Sequence, residues 1–365
     1  MSNRIMLKLL DILLLISFLS SVLIFHRFEF FKKIIWFNLA ALFLMLTFRS
    51  TGVDLENYRS FYAGDMTEVH FSIEPIWFIL RDTLKSFGVP FHLFIFFSLL
   101  PFFYSLIRVY REGKVEDMNL VLFAFLILFY FHAVSGIRAF GASAFFILAT
   151  LNYSQRNRFS YIISACFSTL SHSSGIMAFA IPIIAKIKFT KQSFIFFLLF
   201  AIICGIILQI NVDILMKMST DRSNVFEESI FKLVYYLSYK REFDSVYNGI
   251  YLDLIYAVRM IVSLLLAIIL INLKSLGNDF YTLIRNVVVC TVVVSFFFYA
   301  AGAPVIATRI FDLNCVTAIF LSAYLFDYRK SNNVIFIIFV ILYFVMELLM
   351  NAGIFSSGSP FYLGF

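Results

Sequence analysis

Three arginines in this chain stand where an arginine is costly. Arg138 opens one apolar run (SGIRAFGASAFF), Arg259 interrupts another (YAVRM), and Arg309 follows APVIAT at the start of a third. Even the mildest insertion scale charges about 2.5–3.5 kcal/mol for an arginine at the centre of a membrane span, so such residues are ordinarily kept for a task. A guanidinium stays charged at any physiological pH and presents a planar fork of donors that matches phosphate oxygens. Several of them gathered at one face suit a diphosphate. If that diphosphate joins a lipid to a sugar, negative charge grows on it as the anomeric bond breaks. Fixed guanidiniums then stabilise the transition state more than the ground state, and a metal is not required. The acceptor hydroxyl still needs a group that orients or deprotonates it. His172 in SHSSG, Glu74 in EPIW and Asp54 in TGVDLE are the candidates.

Further polar residues join this set. Arg49 closes the second apolar run in FRSTGVDLENYRSFY, followed by Asp54, Tyr58 and Arg59, while Arg222 and Arg241 come from a long polar segment. Each has a plainer reading. Arg49 could be a helix-end anchor reaching for the interface, Asp54 a helix cap, and His172 a satisfied structural histidine among serines. Arg309 could bridge to Asp312 three residues on, Arg259 could pair with Asp253 or Glu242, and Arg222 and Arg241 could be solvated loop charges. Arg138 is flanked by Gly136, Ala139, Gly141, Ala142 and Ser143, small residues that let helices approach closely and place it in a packed interior.

These residues need a scaffold, and composition says which kind. Of 365 residues 62% are hydrophobic and 14% charged, with 49 Phe and 19 Tyr. A soluble domain of this length cannot hide that much apolar surface, so the reading is an integral membrane protein. The net charge of +7 does not point to nucleic acid, because the Lys and Arg residues sit mainly in short loops, where they fix orientation. Cys166, Cys204, Cys290 and Cys315 lie within apolar runs without CxxC spacing. They read as packing residues, supporting neither a disulfide framework nor a metal site. No cofactor is implied.

Spans of about 20 apolar residues are expected at Ile5–Phe25, Phe31–Phe48, Pro90–Tyr110, Asn119–Val134, Ile137–Tyr153, Phe159–Leu170, Gly175–Ile187, Ser193–Ile210, Leu252–Leu273, Thr282–Ala300, Val305–Phe326 and Val334–Met350. That is an all-α polytopic fold of about twelve helices in a single membrane domain over residues 1–365, with Phe159–Leu170 and Gly175–Ile187 short enough to be broken or re-entrant. Ile5–Phe25 is too long for a signal-peptide core and reads as a retained helix. The basic clusters (Arg27/Lys32/Lys33, Arg108/Arg111/Lys114, Arg156/Arg158, Lys186/Lys188/Lys191, Lys274, Arg329/Lys330) fall in alternate loops. All can therefore be cytoplasmic. Both termini, Arg49–Val89 and Asn211–Tyr251 then lie outside, and so do the costly residues. Within the first segment, Ile73, Ile76, Trp77, Leu80, Leu84 and Phe87 recur at helical spacing among charges, predicting an interfacial amphipathic helix. The second, rich in Tyr, predicts an ordered cap on the bilayer surface.

In order along the chain, FRSTGVDLENYRSFY with EPIW, then SGIRAFGASAFFILATLNYSQRNR, STLSHSSGIM and TRIFDL resemble the motifs of the EpsG/Wzy-type polysaccharide polymerases, from Phe48 to Asp312. The resemblance implies a fold like that of lipid-dependent glycosyltransferases of the GT-C and ligase-polymerase type. It implies an O-antigen or capsule polymerase of the bacterial inner membrane. Such an enzyme moves a growing glycan from undecaprenyl diphosphate to another lipid-linked repeat unit on the periplasmic side. It supports Arg49, Asp54, Glu74, Arg138, His172 and Arg309 as site residues. On this reading Arg138 and Arg309 grip the donor diphosphate, and His172 or Glu74 activates the acceptor. Tyr58, Arg49 and Arg259 join Arg222 and Arg241 as substrate contacts, the last two recruiting a second lipid head group. The partners are the lipid-linked oligosaccharide, the bilayer, a chain-length regulator and a flippase.

Three rivals stay open. A flippase needs polar groups at the bilayer midplane and two pseudo-symmetric halves, and neither is visible. An O-antigen ligase shares the same chemistry, and a membrane acyltransferase needs a more exposed His-Asp pair.

Overall fold

The computed structural model of the protein describes residues 35–48, 55–64, 74–112, 118, 121–122, 124–125, 136–211, 249–272 and 279–321. They are helical, with no strand among them. They divide into two compact units. The first takes in the described residues of Met1–Pro182, Asn278–Ile284 and Val316–Phe365, the second those of Ile183–Gly277 and Arg285–Cys315.

In the first unit, α1 (Ile35–Thr47) buries Ile35, Leu39, Leu42 and Leu46, one stripe at helical spacing. Two short helices follow, α2 (Leu55–Ala63) and α3 (Pro75–Ser86), and then the long α4 (Phe91–Arg111). Trp36 of α1 meets Tyr110 of α4, Phe43 meets Phe96 and Phe103, and Phe48 meets His92. That register makes α1 and α4 antiparallel, with α2 and α3 between them in sequence and at one end of the pair. Pro75 starts α3 with its fixed φ. Gly88, at φ +66°, supplies the left-handed turn into α4. Phe97, Leu100 and Tyr104 leave a stripe of α4 exposed, as suits a lipid-facing helix.

The next hairpin is α5 (Ile137–Ser154) and α6 (Arg158–Ser171). Small residues form its seam: Ala142, Ser143, Ala144 and Ala149 are fully buried on α5, with Ala165 and Ser168 on α6. Ser168 Oγ donates to Ala142 O at 2.9 Å and Asn152 Nδ2 to Ser164 Oγ at 3.0 Å, so the seam is also stitched by polar bonds. Phe102 of α4 packs on Phe140 of α5 with ring centroids 4.2 Å apart. A 3-10 helix, Ser173–Ala180, and a single turn, α7 (Ile181–Ile184), follow α6. The short apolar stretch Gly175–Ile187 is therefore broken, as its length suggested.

In the second unit, α8 (Lys191–Ile210) starts at a Thr190/Ser193 capping box and exposes an apolar face. A Cβ on its Gly205 would lie 2.3 Å from Phe297 O. The remaining helices are α9 (Gly249–Asn272), α10 (Asp279–Ala300) and α11 (Pro304–Cys315). The first turns of α10 belong to the first unit and the rest to the second. The expected span Val305–Phe326 is not one continuous α-helix. The backbone tightens at Val316–Leu321 into a 3-10 helix whose six side chains are all buried.

By length and composition, Phe91–Arg111, Lys191–Ile210, Asp279–Ala300 and Pro304–Leu321 can cross a membrane. The protein is a helical membrane protein. The expected spans Ile5–Phe25 and Val334–Met350, most of Asn119–Val134, and nearly all of the expected cap Asn211–Tyr251 lie outside the described residues. Cys166, expected to pack, is exposed on α6 beside Ile162, Ile163 and Phe167, a face that suits lipid.

Candidate active site

The antiparallel pairings of the first unit bring four distant segments to one end: α2, the start of α3, the start of α5 and the end of α6. Glu74 precedes α3 at its N-cap position, yet its side chain makes no cap bond to its own helix. A carboxylate there would ordinarily accept from the first-turn N–H groups. It turns instead to Arg138, whose Nη1 donates to Glu74 Oε2 at 2.6 Å. The other oxygen, Oε1, lies 3.8 Å from His172 Nε2. Glu74 and His172 are largely buried and Arg138 is about three-quarters so, with side-chain exposures of 9%, 14% and 26%.

Arg138 stands in the first turn of α5, after Gly136, which offers no side-chain cap. A cation there opposes the helix dipole, whose positive end lies at the N-terminus. The cost is local, and the result is two positive features at one place. The backbone N–H of Arg138, which has no partner within its own helix, donates to Tyr58 OH at 3.4 Å. Tyr58 also hydrogen-bonds the Arg138 side chain.

Packing holds this arrangement in place. Trp77, one turn beyond Glu74, is buried and donates from Nε1 to Ser171 O at 2.7 Å, tying α3 to the end of α6. Its ring lies over Gly141, where a Cβ would come within 2.9 Å of it. Gly175 sits so tightly against α6 that a Cβ would fall 2.1 Å from Ser168 O. Tyr161 OH donates to Ala178 O at 3.0 Å, fixing the far end of the 3-10 helix. Tyr62 OH donates to Val89 O and joins α2 to the turn before α4; burial pushes its ionisation above that of an ordinary phenol. Arg81 of α3 lies over the rings of Phe61 and Phe78, 4.7 Å and 4.9 Å from their centroids.

Of the residues expected at the site, Glu74, Arg138, His172 and Tyr58 come together. Arg49, Asp54, Arg222 and Arg241 lie outside the described residues. Arg259 and Arg309 belong to the second unit. Asp312 Oδ2 meets Arg259 Nη1 at 3.0 Å in a buried pair joining α9 to α11. Arg309 is exposed. The spacing of Trp77 marks only an apolar helical face and carries no sign of its bond to Ser171. The motif EPIW carried the available hint, since it places an indole one turn after the carboxylate. Among the described residues no group of three or more His, Cys, Asp or Glu side chains could hold a metal ion.

This arrangement offers a guanidinium at a helix N-terminus, a carboxylate that holds it, and an imidazole on the other side of that carboxylate. It can bind an anion and handle a proton in one place. No curated protein and no solved structure matches the chain. One family does match, over residues 33–355 and thus most of the length: the chain belongs to the EpsG family.

Proposed function

We propose that this protein is a polysaccharide polymerase of the bacterial inner membrane. It transfers a growing glycan from undecaprenyl diphosphate to the terminal sugar of another lipid-linked repeat unit, on the periplasmic side. Membership of the EpsG family suggests polymerase-like glycosyl transfer in general. The observation that carries the finer reading is the Arg138–Glu74–His172 group, 2.6 Å and 3.8 Å between partners, at one end of the helices of the first unit. Arg138 adds its charge to the positive end of α5 and takes the donor diphosphate. Glu74 aims that guanidinium and faces the imidazole. His172 receives the proton of the acceptor hydroxyl as the anomeric carbon is attacked. On sequence grounds Arg309 is the second guanidinium for phosphate, and Arg49, Asp54, Arg222, Arg241 and Arg259 are further substrate contacts. The fold in this reading is a single polytopic domain of about twelve spans, with α3 lying in the outer interface.

The test is to incubate purified protein with an undecaprenyl-diphosphate-linked repeat unit, with and without a chelator. A glycan ladder on lipid supports the reading. Movement of the unlengthened substrate across vesicles would replace it with a flippase, and transfer only to lipid A core with a ligase.

A further inference from the structure

His172 joins two helices. It ends α6 and begins the 3-10 helix with an extended backbone, φ −163° and ψ 141°. Its Nδ1 accepts the backbone N–H of Ser174 at 3.3 Å and lies 2.6 Å from Ser174 Oγ. A backbone N–H can only donate, so Nδ1 carries its lone pair and the ring proton is on Nε2. That N–H faces Glu74 Oε1, while the opposite oxygen of Glu74 holds Arg138. The basic nitrogen of His172 is therefore the one turned away from the carboxylate, and the Ser174 hydroxyl is the group it meets.

Two serines at the end of α6 are committed elsewhere. Ser168 Oγ donates to Ala142 O and Ser171 Oγ to Phe167 O, at 2.9 Å and 2.7 Å. Ser174 is only half-buried. Its position is set by the closed turn around it: Gly175 N–H donates to His172 O at 2.8 Å, and Gly175 is pressed against α6.

We propose that Ser174 is a catalytic relay residue, through which His172 acts on the acceptor sugar. This rests on the polymerase reading and deepens it. The acceptor hydroxyl gives its proton to Ser174 Oγ while the Ser174 hydroxyl proton passes to Nδ1. The acceptor oxygen forms its bond to the anomeric carbon of the donor. The bond from that carbon to the diphosphate breaks, and its electron pair leaves on the diphosphate oxygen. The imidazolium so formed carries protons on both nitrogens, Nε2–H toward Glu74 and Nδ1–H toward Ser174 Oγ. The long 3.3 Å backbone contact gives way in that state. The groups that tune the ring are Glu74 from α3, Arg138 from α5 through Glu74, and Tyr58 from α2 through Arg138.

The experiment compares wild type, Ser174→Ala and Ser174→Thr as purified full-length proteins, with an undecaprenyl-diphosphate-linked repeat unit as substrate. Ser174→Ala is expected to lower kcat by about tenfold to a hundredfold, within the range of general-base effects, with KM little changed. Ser174→Thr keeps a hydroxyl and is expected to restore most of the rate. A Ser174→Ala enzyme as fast as wild type overturns the proposal and leaves the polymerase reading standing. No ladder from wild type overturns both. Solid-state NMR of protein labelled with 15N-histidine reads the tautomer independently of turnover, with His172→Ala assigning the signal. The neutral ring is expected to be protonated at Nε2, with Nδ1 as acceptor. A ring protonated at Nδ1 in the resting protein overturns the proposal.

Discussion

The contact between Glu74 and Arg138 makes a quantitative prediction. Nη1 and Oε2 are 2.6 Å apart, and the two side chains are 26% and 9% exposed. At the effective dielectric of a half-buried pair, the gross attraction is about 4 kcal/mol at 4 Å and larger at closer range. Desolvation removes much of that, leaving the about 1.5–3 kcal/mol typical of a hydrogen bond to a charged group. Glu74→Ala removes the carboxylate that holds the guanidinium and should cost about 3 kcal/mol, the lower end for breaking a buried pair, because Arg138 keeps Tyr58 and some solvent. Arg138→Ala leaves the more buried carboxylate facing His172 without its guanidinium and should cost a similar amount. The double variant should cost less than the sum by about 2 kcal/mol. Glu74→Gln keeps an accepting oxygen but no charge, and its coupling to Arg138 should fall to about half. Equilibrium unfolding of the purified variants by steric trapping in bicelles measures the cycle. Additivity within about 0.5 kcal/mol, the behaviour of independent sites, would refute the coupling on which the site rests.

Three more perturbations follow from the packing. Gly141→Ala puts a Cβ 2.9 Å from the Trp77 ring. It should cost about 1–3 kcal/mol as an overpacked site and lower polymerisation further than that loss explains, since Trp77 lies one turn from Glu74; a stability curve and a ladder assay on the same preparation separate the two. Trp77→Phe removes the Nε1 bond to Ser171 O, and thermal unfolding should show a loss of about 1 kcal/mol. In the second unit, Asp312→Ala should destabilise by about 3–5 kcal/mol, by removing the carboxylate that meets the Arg259 guanidinium in a buried setting. Replacing both by Leu should recover most of that loss, so equal losses in the two variants would contradict a structural pairing.

Much of the fold was legible because membrane spans announce themselves. Pro90–Tyr110 and Ile137–Tyr153 were expected and appear as α4 (Phe91–Arg111) and α5 (Ile137–Ser154), since long apolar runs with charged or Gly/Pro ends leave little choice. The amphipathic α3 was legible from its spacing, though not which side faced inward. Trp77 and Leu84 are buried while Phe87 of the same predicted face is exposed, because the neighbouring helices and not the period alone decide burial. The break at Val316 has no signal in the sequence, since an apolar run of that length reads as one helix. Within the site, the types and sequence order of Glu74, Arg138 and His172 marked them, because polar groups in apolar runs are costly. Their distances could not be read, because they depend on how α3, α5 and α6 pack. The pairing of Arg259 with Asp312 joins residues 53 positions apart. The contact of the Ser174 N–H with His172 Nδ1 depends on a turn closed by Gly175 and exists only in three dimensions.

In the proposed function Arg138 is the group that takes the diphosphate. The most direct measurement is the Kd of undecaprenyl diphosphate for purified wild type and for Arg138→Lys, a change that keeps the charge and loses the planar fork. Wild type is expected to bind about tenfold more tightly, a difference of about 1.4 kcal/mol, with the folded fraction equal in both samples. Equal Kd values for the two proteins would contradict the account.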